Sequence, residues 1–281
     1  MNNINQNNLK SLRISTNRRQ IWIISLIALI ASILGFIFSW LNPSIKAPLK
    51  PGLDFTGGTQ INLERKCTDD YCSTINSEKV LTIIASNNML NNHNSSYEIS
   101  SDNIKIQFLD GYKSIVLRLP FLTATQSQSI INSLEPIIGP YEKGDISVDT
   151  IGPSLGAQLL RTSLISLMAA FAGIAFYISF RFDRKYAFLA LLALAHDVII
   201  VCGVFAWLGI LYQIEIDSLF AVSLLTIAGY SVNDTVVVFD RIREISKKKD
   251  YSISQKIDNA VQATLTRTLY TSGSTLLPLI A

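Results

Sequence analysis

The feature that most constrains this chain is an apolar stretch with an acidic pair inside it. It ends Ala228-Gly-Tyr-Ser-Val-Asn-Asp-Thr-Val-Val-Val-Phe-Asp-Arg-Ile-Arg243, and Asn233 and Asp234 lie well before its charged exit at Asp240. A carboxylate near the centre of an apolar helix costs about 2.5–3.5 kcal/mol on insertion scales, and membrane helices keep one mainly for function. The chain therefore either spans a membrane with Asp234 at work inside it, or carries a liability that a soluble core rarely keeps.

The rest of the chain decides for the membrane. Apolar runs cover Ile21–Leu41, Leu159–Phe180, Ala187–Leu211 and Leu219–Phe239, each near the ~20 residues that a crossing helix needs. Trp22 and Trp40 stand near the two ends of the first run, where interfacial anchors belong. A cleaved signal peptide is the alternative for that run, but it is long and no Ala-x-Ala site follows it. A fifth run, 261–281, has polar first turns, so its apolar part falls short of a full crossing and an incomplete last span is expected. Only 16% of residues are charged, against about 25% in an average soluble domain. A net charge of +3, with no basic-aromatic interleaving, argues against nucleic acid. Cys67, Cys72 and Cys202 have no zinc-ligand spacing, so no metal or other cofactor is expected. Cys67 and Cys72 could pair if they face an oxidising compartment.

The basic segments fall on one side. The Asn-rich tail 1–20, the 181–185 loop and the 240–260 loop carry Lys and Arg, whereas the Tyr212–Asp217 turn carries none. The positive-inside rule then places the N-terminus in the cytoplasm and residues 42–157 outside. That outer segment opens with a linker holding three prolines, Asn42–Pro51, followed by Gly52-Leu-Asp-Phe-Thr-Gly-Gly-Thr59. Asp54, Gly57 and Gly58 predict a tight turn leading into the outer domain. No Gly-Lys-Thr/Ser follows, which rules out a phosphate loop. Beyond it, Thr59–Arg65 alternates as a strand, Ser77 can cap a helix to about Met89, and Tyr97–Leu109 with Ser114–Leu119 reads as a hairpin about Asp110-Gly111. Ala124–Ile138 is a second helix and Asp145–Ile151 a last strand. The order β-α-β-β-α-β is the ferredoxin-like split βαβ pattern. The expected fold is a polytopic α-helical membrane protein with one extracytoplasmic α+β domain.

Asp234 lies six residues before Asp240, and Arg267 six residues into the fifth run, so both sit roughly 9 Å inside the same face. Their helices are antiparallel neighbours in sequence, and the two charges could pair. The plainer alternative is a static salt bridge, or an arginine that snorkels to the surface. Ser231, Asn233 and Thr235 flank Asp234, while Thr266, Thr268, Thr271, Ser272 and Ser274 line the fifth run; most are read as hydrogen-bonding glue between helices. His196 and Asp197 lie in the third run. Asp197 is a candidate relay residue, and His196 is read as a satisfied core histidine. Asp240, Arg241, Arg243 and Glu244 are read as an interfacial charge network.

Five pieces, Gly52–Thr59, Ala195-His-Asp197, Gly229-Tyr-Ser-Val-Asn-Asp234, Asp240-Arg-Ile-Arg-Glu244 and Arg267-Thr-Leu-Tyr-Thr-Ser-Gly273, closely resemble the SecD/SecF family of protein-export membrane subunits. That family belongs to the resistance-nodulation-division superfamily. The resemblance covers nearly the whole chain. It implies an accessory translocase subunit rather than an enzyme, working with SecD beside the SecYEG channel and the SecA motor. It also implies use of the proton-motive force, late in export, to draw unfolded polypeptides across the plasma (inner) membrane. It assigns proton transport to Asp234, within the Asn233-Asp234 pair, and to Arg267. It implies a sixth span after the fifth. The alternative reading is a proton-driven small-molecule efflux protein of the same superfamily, which would need two outer domains and a longer chain. A membrane enzyme has no nucleophile-base pair or metal set to support it.

Overall fold

The computed structural model describes residues 15–66, 74–86, 104–139, 146–247 and 251–280. The first fourteen residues of the tail, the Cys67–Cys72 pair, the expected helix end at Met89, the start of the strand at Tyr97, Asp145 and Lys248–Lys249 lie outside them. The chain divides into two compact units, residues 51–164 and residues 1–50 with 165–281.

The smaller unit holds a four-stranded antiparallel sheet. Helix α2 (Leu53–Thr56) leads into β1 (Gly58–Glu64); α3 (Ser77–Ser86), β2 (Lys105–Leu109), β3 (Ser114–Leu119), α4 (Ala124–Ile138) and β4 (Ile146–Ile151) follow. The sheet order is β2-β3-β1-β4, with Ile61 opposite both Leu117 and Val148. The period-two alternation in the sequence becomes a period-two burial. Ile61, Leu63, Ile115, Leu117 and Leu119 point into one core, which Val80 and Ile84 of α3 and Ile130, Ile131, Leu134 and Ile138 of α4 cover. The strand β4 is an edge, and its polar Ser147, Asp149 and Thr150 are exposed. Polar edge residues discourage pairing with another chain.

Local chemistry explains the boundaries. Thr123 and Gln126 form a reciprocal capping box at the start of α4. For α3 the cap is not Ser77, which is already helical, but Asn76, whose Oδ1 accepts the Glu78 N–H at 2.8 Å. The Asp110-Gly111 hairpin forms as expected, with Gly111 at φ +63° inside a single 3-10 turn. Arg65, 7% exposed, ends the sheet by donating from Nε to the Ile138 carbonyl at 2.7 Å and from Nη1 to the Tyr112 carbonyl at 2.9 Å. Its burial pulls the guanidinium below the usual arginine range.

The larger unit is helical. Its helices are α1 (Arg18–Leu41), α5 (Pro153–Arg181, which continues out of the smaller unit), α6 (Arg184–Leu211), α7 (Ser218–Ser246) and α8 (Ile253–Ile280). Four of them, α1, α5, α6 and α7, are long and apolar enough to cross a membrane. The segment 240–260, expected as a loop, is mostly helix, since α7 runs on to Ser246 and α8 begins at Ile253. Hydropathy marks where apolar residues stop, and polar residues such as Arg, Glu and Gln carry a helix further because their propensity is high.

Helix α1 packs on α6, α6 on α7, and α7 on α8. The first contact is built from small residues. Ser32, Gly35 and Ser39 of α1 and Gly203, Ala206 and Gly209 of α6 are buried. A Cβ on Gly203 would collide with that of Ser32, so the helices approach closely there. Trp207 donates its indole N–H to the Ala31 carbonyl at 2.9 Å across the same contact. At the end of this pair Lys50, 4% exposed, meets Glu215 at 3.2 Å and donates to the Gln213 carbonyl and side chain. The Lys50 carbonyl accepts the Ile216 N–H.

Candidate functional site

Helices α7 and α8 carry the first cluster. Val237, Asp240, Arg241 and Glu244 of α7 and Ala263, Thr264 and Arg267 of α8 line a cleft of about 360 Å³. Residues 237, 241 and 244 form one stripe of α7, and the same stripe continues at Asp234, one turn deeper. Asp234 is half-buried there, while Asn233 and Arg267 are exposed. The structure thus brings Asp234 and Arg267 to adjoining helices, but no ion pair or hydrogen bond joins them. Arg267 lines the cleft together with Val237, Asp240, Arg241 and Glu244, and Asp234 lies one turn from Val237 along the same stripe of α7. The guanidinium remains close enough for its charge to act on the carboxyl. Counting residues from the polar ends puts both charges on neighbouring helices near the same face, but says nothing of the rotation that decides whether they touch.

A second cluster joins three helices. His196 Nε2 lies 2.6 Å from Ser25 Oγ of α1, and His196 Nδ1 lies 3.0 Å from Asp197 Oδ1. Ser231 Oγ of α7 donates to Asp197 Oδ2 at 2.7 Å. Asp197 is therefore bonded to its neighbour His196 and to the helix that carries Asp234. His196 is satisfied, as expected, but by side chains on two helices. Ser25 was not anticipated. Its signal is in the sequence, because Ser25, Ser32 and Ser39 recur every seven residues along an otherwise apolar α1, which marks one helix face.

The third cluster lies at the end of α7. Asp240 meets Arg181 of α5 at 2.7 Å and Arg243 at 3.1 Å, and Arg241 meets Glu244 at 2.6 Å. Of the residues grouped from the sequence, Asp240 pairs with Arg243 and also with Arg181, while Arg241 and Glu244 form a separate pair. At the lead-in to the smaller unit, Asp54 stands in the first turn of α2, and Gly57 and Gly58 have φ +68° and +123°. A Cβ on Gly58 would meet the Leu119 carbonyl at 2.7 Å, and one on Gly156 would meet the Gly57 nitrogen at 2.8 Å. The paired glycines are the only residue type that fits this close turn.

Together these features define a multi-pass helical membrane protein with a compact antiparallel-sheet unit and ionisable side chains inside its apolar helices. The family model described as "Protein export membrane protein SecD/SecF, C-terminal" matches residues 133–281, and "SecD/SecF GG Motif" matches residues 44–69. The chain is 58% identical over 274 residues to the protein translocase subunit SecF of Prochlorococcus marinus, covering 96% of this chain and 84% of that one. It is 36% identical to the Synechocystis SecF, covering 92% of this chain and 79% of that one. Among solved structures, the Thermus SecDF, titled a translocon-associated membrane protein, superposes with TM-score 0.71 at 25% identity. That match covers 94% of this chain and 32% of the SecDF chain. The chain belongs to the SecD/SecF family of protein-export membrane proteins.

Proposed function

We propose that this chain is an accessory subunit of the Sec protein translocase that acts with SecD to use the proton-motive force in late export. The observation that carries the reading is Asp234, a half-buried carboxyl on an apolar helix, beside Arg267 but not locked to it. A carboxylate held in a buried ion pair keeps its charge, because removing the proton-free form would strand the partner. One that feels an opposite charge without contacting it can take and release a proton as the helices shift. A proton crossing the membrane releases about 2.3 kcal/mol per 100 mV, enough to bias a two-state element. In this reading Asp234 carries the proton, Asn233 keeps its surroundings polar, and Arg267 resets it. Asp197 is a relay candidate, and the Asp240–Arg241–Arg243 group sets the helix ends at the interface.

The orientation follows the positive-inside rule, with the N-terminus and the α7–α8 connection in the cytoplasm and residues 42–157 outside the plasma (inner) membrane. The bounds read from the sequence go with it: tail 1–20, spans 21–41, 159–180, 187–211 and 219–239, and a fifth from 261. The outer domain is read as a ferredoxin-like split βαβ, a reading supported by the element order and by β1 and β3 lying at the centre of the sheet. The partners are SecD, the SecYEG channel, SecA, the exported unfolded polypeptide and the surrounding lipid.

The test is export into vesicles that hold the full translocase, with and without a proton gradient. Asp234→Asn keeps the size and much of the hydrogen bonding but cannot titrate. It is expected to leave assembly with SecD intact and to remove the gradient-dependent part of export, and Arg267→Met is expected to act likewise. A normal gradient response in Asp234→Asn would place the carrier elsewhere.

A further inference from the structure

The hydrogen-bonded chain Ser25–His196–Asp197–Ser231 crosses from α1 through α6 to α7 without a break. It ends three residues from Asp234, on the same helix, which is less than one turn. The helices it joins are already held by other means. The contact between α1 and α6 rests on Ser32, Gly35 and Gly203 and on the Trp207 bond. The contact of α6 with α7 rests on Leu194, Ala228 and Val232, packed with Ile178 of α5 and with Phe182 just beyond it. Both nitrogens of the imidazole are bonded, and the two residues at the ends of the chain are hydroxyls, which donate or accept as the ring requires.

Resting on the reading of Asp234 as the proton carrier, we propose that His196 and Asp197 form a second proton-binding site, with Ser25 and Ser231 as its positioning residues. With the ring neutral, Nδ1–H donates to Asp197 and Nε2 accepts from the Ser25 hydroxyl. A proton supplied by the gradient adds at Nε2. The Nε2–H then donates to Ser25 Oγ, and the serine hydrogen turns to a carbonyl of its own helix, the bond that Ser32 already makes to Ala28. The imidazolium charge is balanced by the Asp197 carboxylate, which Ser231 continues to hold. Loss of the proton reverses each step, and no heavy-atom bond changes. The site therefore links the charge state of α6 to the rotamer of a serine on α1 and to the helix that bears Asp234.

Few other groups can set its titration. On α7 the titratable neighbours along the helix are Tyr230 and Asp234, and α1 has none from Gln20 to Leu41. On α6 the nearest are Tyr186 and Cys202, and on the packed end of α5 they are Tyr177 and Arg181. Asp234 is the one other acid among them, so the two sites should sense each other.

The chain has two histidines, so His93→Gln leaves His196 as the sole imidazole. In proteoliposomes of the full chain with its SecD partner, ¹⁵N NMR of labelled histidine then reads its protonation. The expected result is a single protonation change of the ring within the accessible pH range. Its midpoint should shift by about half a unit or more in Asp197→Asn, in Ser25→Ala and in Asp234→Asn. His196→Gln, which keeps hydrogen bonding but cannot hold the extra proton, should assemble with SecD and change the pH profile of gradient-driven export. A ring that keeps one state across the range, or a midpoint that none of the three substitutions moves, overturns the proposal. So does a His196→Gln profile that superposes on the parent. If His196→Gln fails to assemble, the titration in Ser25→Ala decides alone. A silent His196 with a disabled Asp234→Asn would end this proposal and spare the proton-carrier reading. A titrating His196 with normal export in Asp234→Asn would do the reverse.

Discussion

Asp234 and Asp197 are both acids in apolar helices, yet their surroundings differ. Asp197 accepts from Ser231 and shares a bond with His196, whereas Asp234 has a charged neighbour and no bonded partner among the described residues. Each was visible in the sequence for one reason, that a carboxylate in an apolar run stands out. What surrounds each was not visible, because contacts between helices depend on rotation and register, and a turn of error moves a charge by about 5.4 Å. The glycines of the lead-in turn were more legible, since adjacent glycines after an Asp have a local meaning. Gly58→Ala places a methyl against the Leu119 carbonyl at positive φ. It is expected to destabilise the smaller unit by about 1–3 kcal/mol, measured as a lower midpoint in denaturant-dependent proteolysis of that unit. An unchanged midpoint would mean the turn relaxes without cost.

Among elements, α4 could be read to the residue, because capping and periodicity are local signals, whereas α1, α5, α6 and α7 contain the four apolar runs but extend beyond them. The ends of α7 and α8 could not, since polar helix turns look like loop to a hydropathy scan. The pairing of α1 with α6 was also hidden. Its residues, Ser32, Gly35, Gly203 and Ala206, are small and carry no charge or hydropathy signal of their own. Their role is steric, and it yields a reciprocal test. Gly203→Ala pushes a methyl into Ser32 and is expected to cost about 1–3 kcal/mol by overpacking. Ser32→Gly in the same chain should recover part of that loss, a coupling that independent sites do not show. Thermal unfolding in detergent of the two single variants and the double variant would measure it, and simple additivity would refute the close contact.

For the whole molecule, the distribution of Lys and Arg makes one prediction about sidedness. With native cysteines removed, single cysteines replacing Lys113 and Lys247 should react with an impermeant thiol reagent from opposite faces of sealed vesicles. Labelling of both from one face would overturn the proposed topology. The α1–α6 contact has a further consequence, in time rather than in space. Gly35 and Gly203 touch across their helices but are separated by the entire smaller unit in sequence. Synthesis proceeds at about 5–20 residues per second, so α1 waits on the order of 10–30 s before its partner surface exists. During that interval the Ser25 hydroxyl, which later bonds His196, and the groove beside Gly35 must be covered by something other than α6. A nascent α1 is therefore a helix with an open seam, and the insertion machinery that receives it has to keep that seam covered until the third span is made.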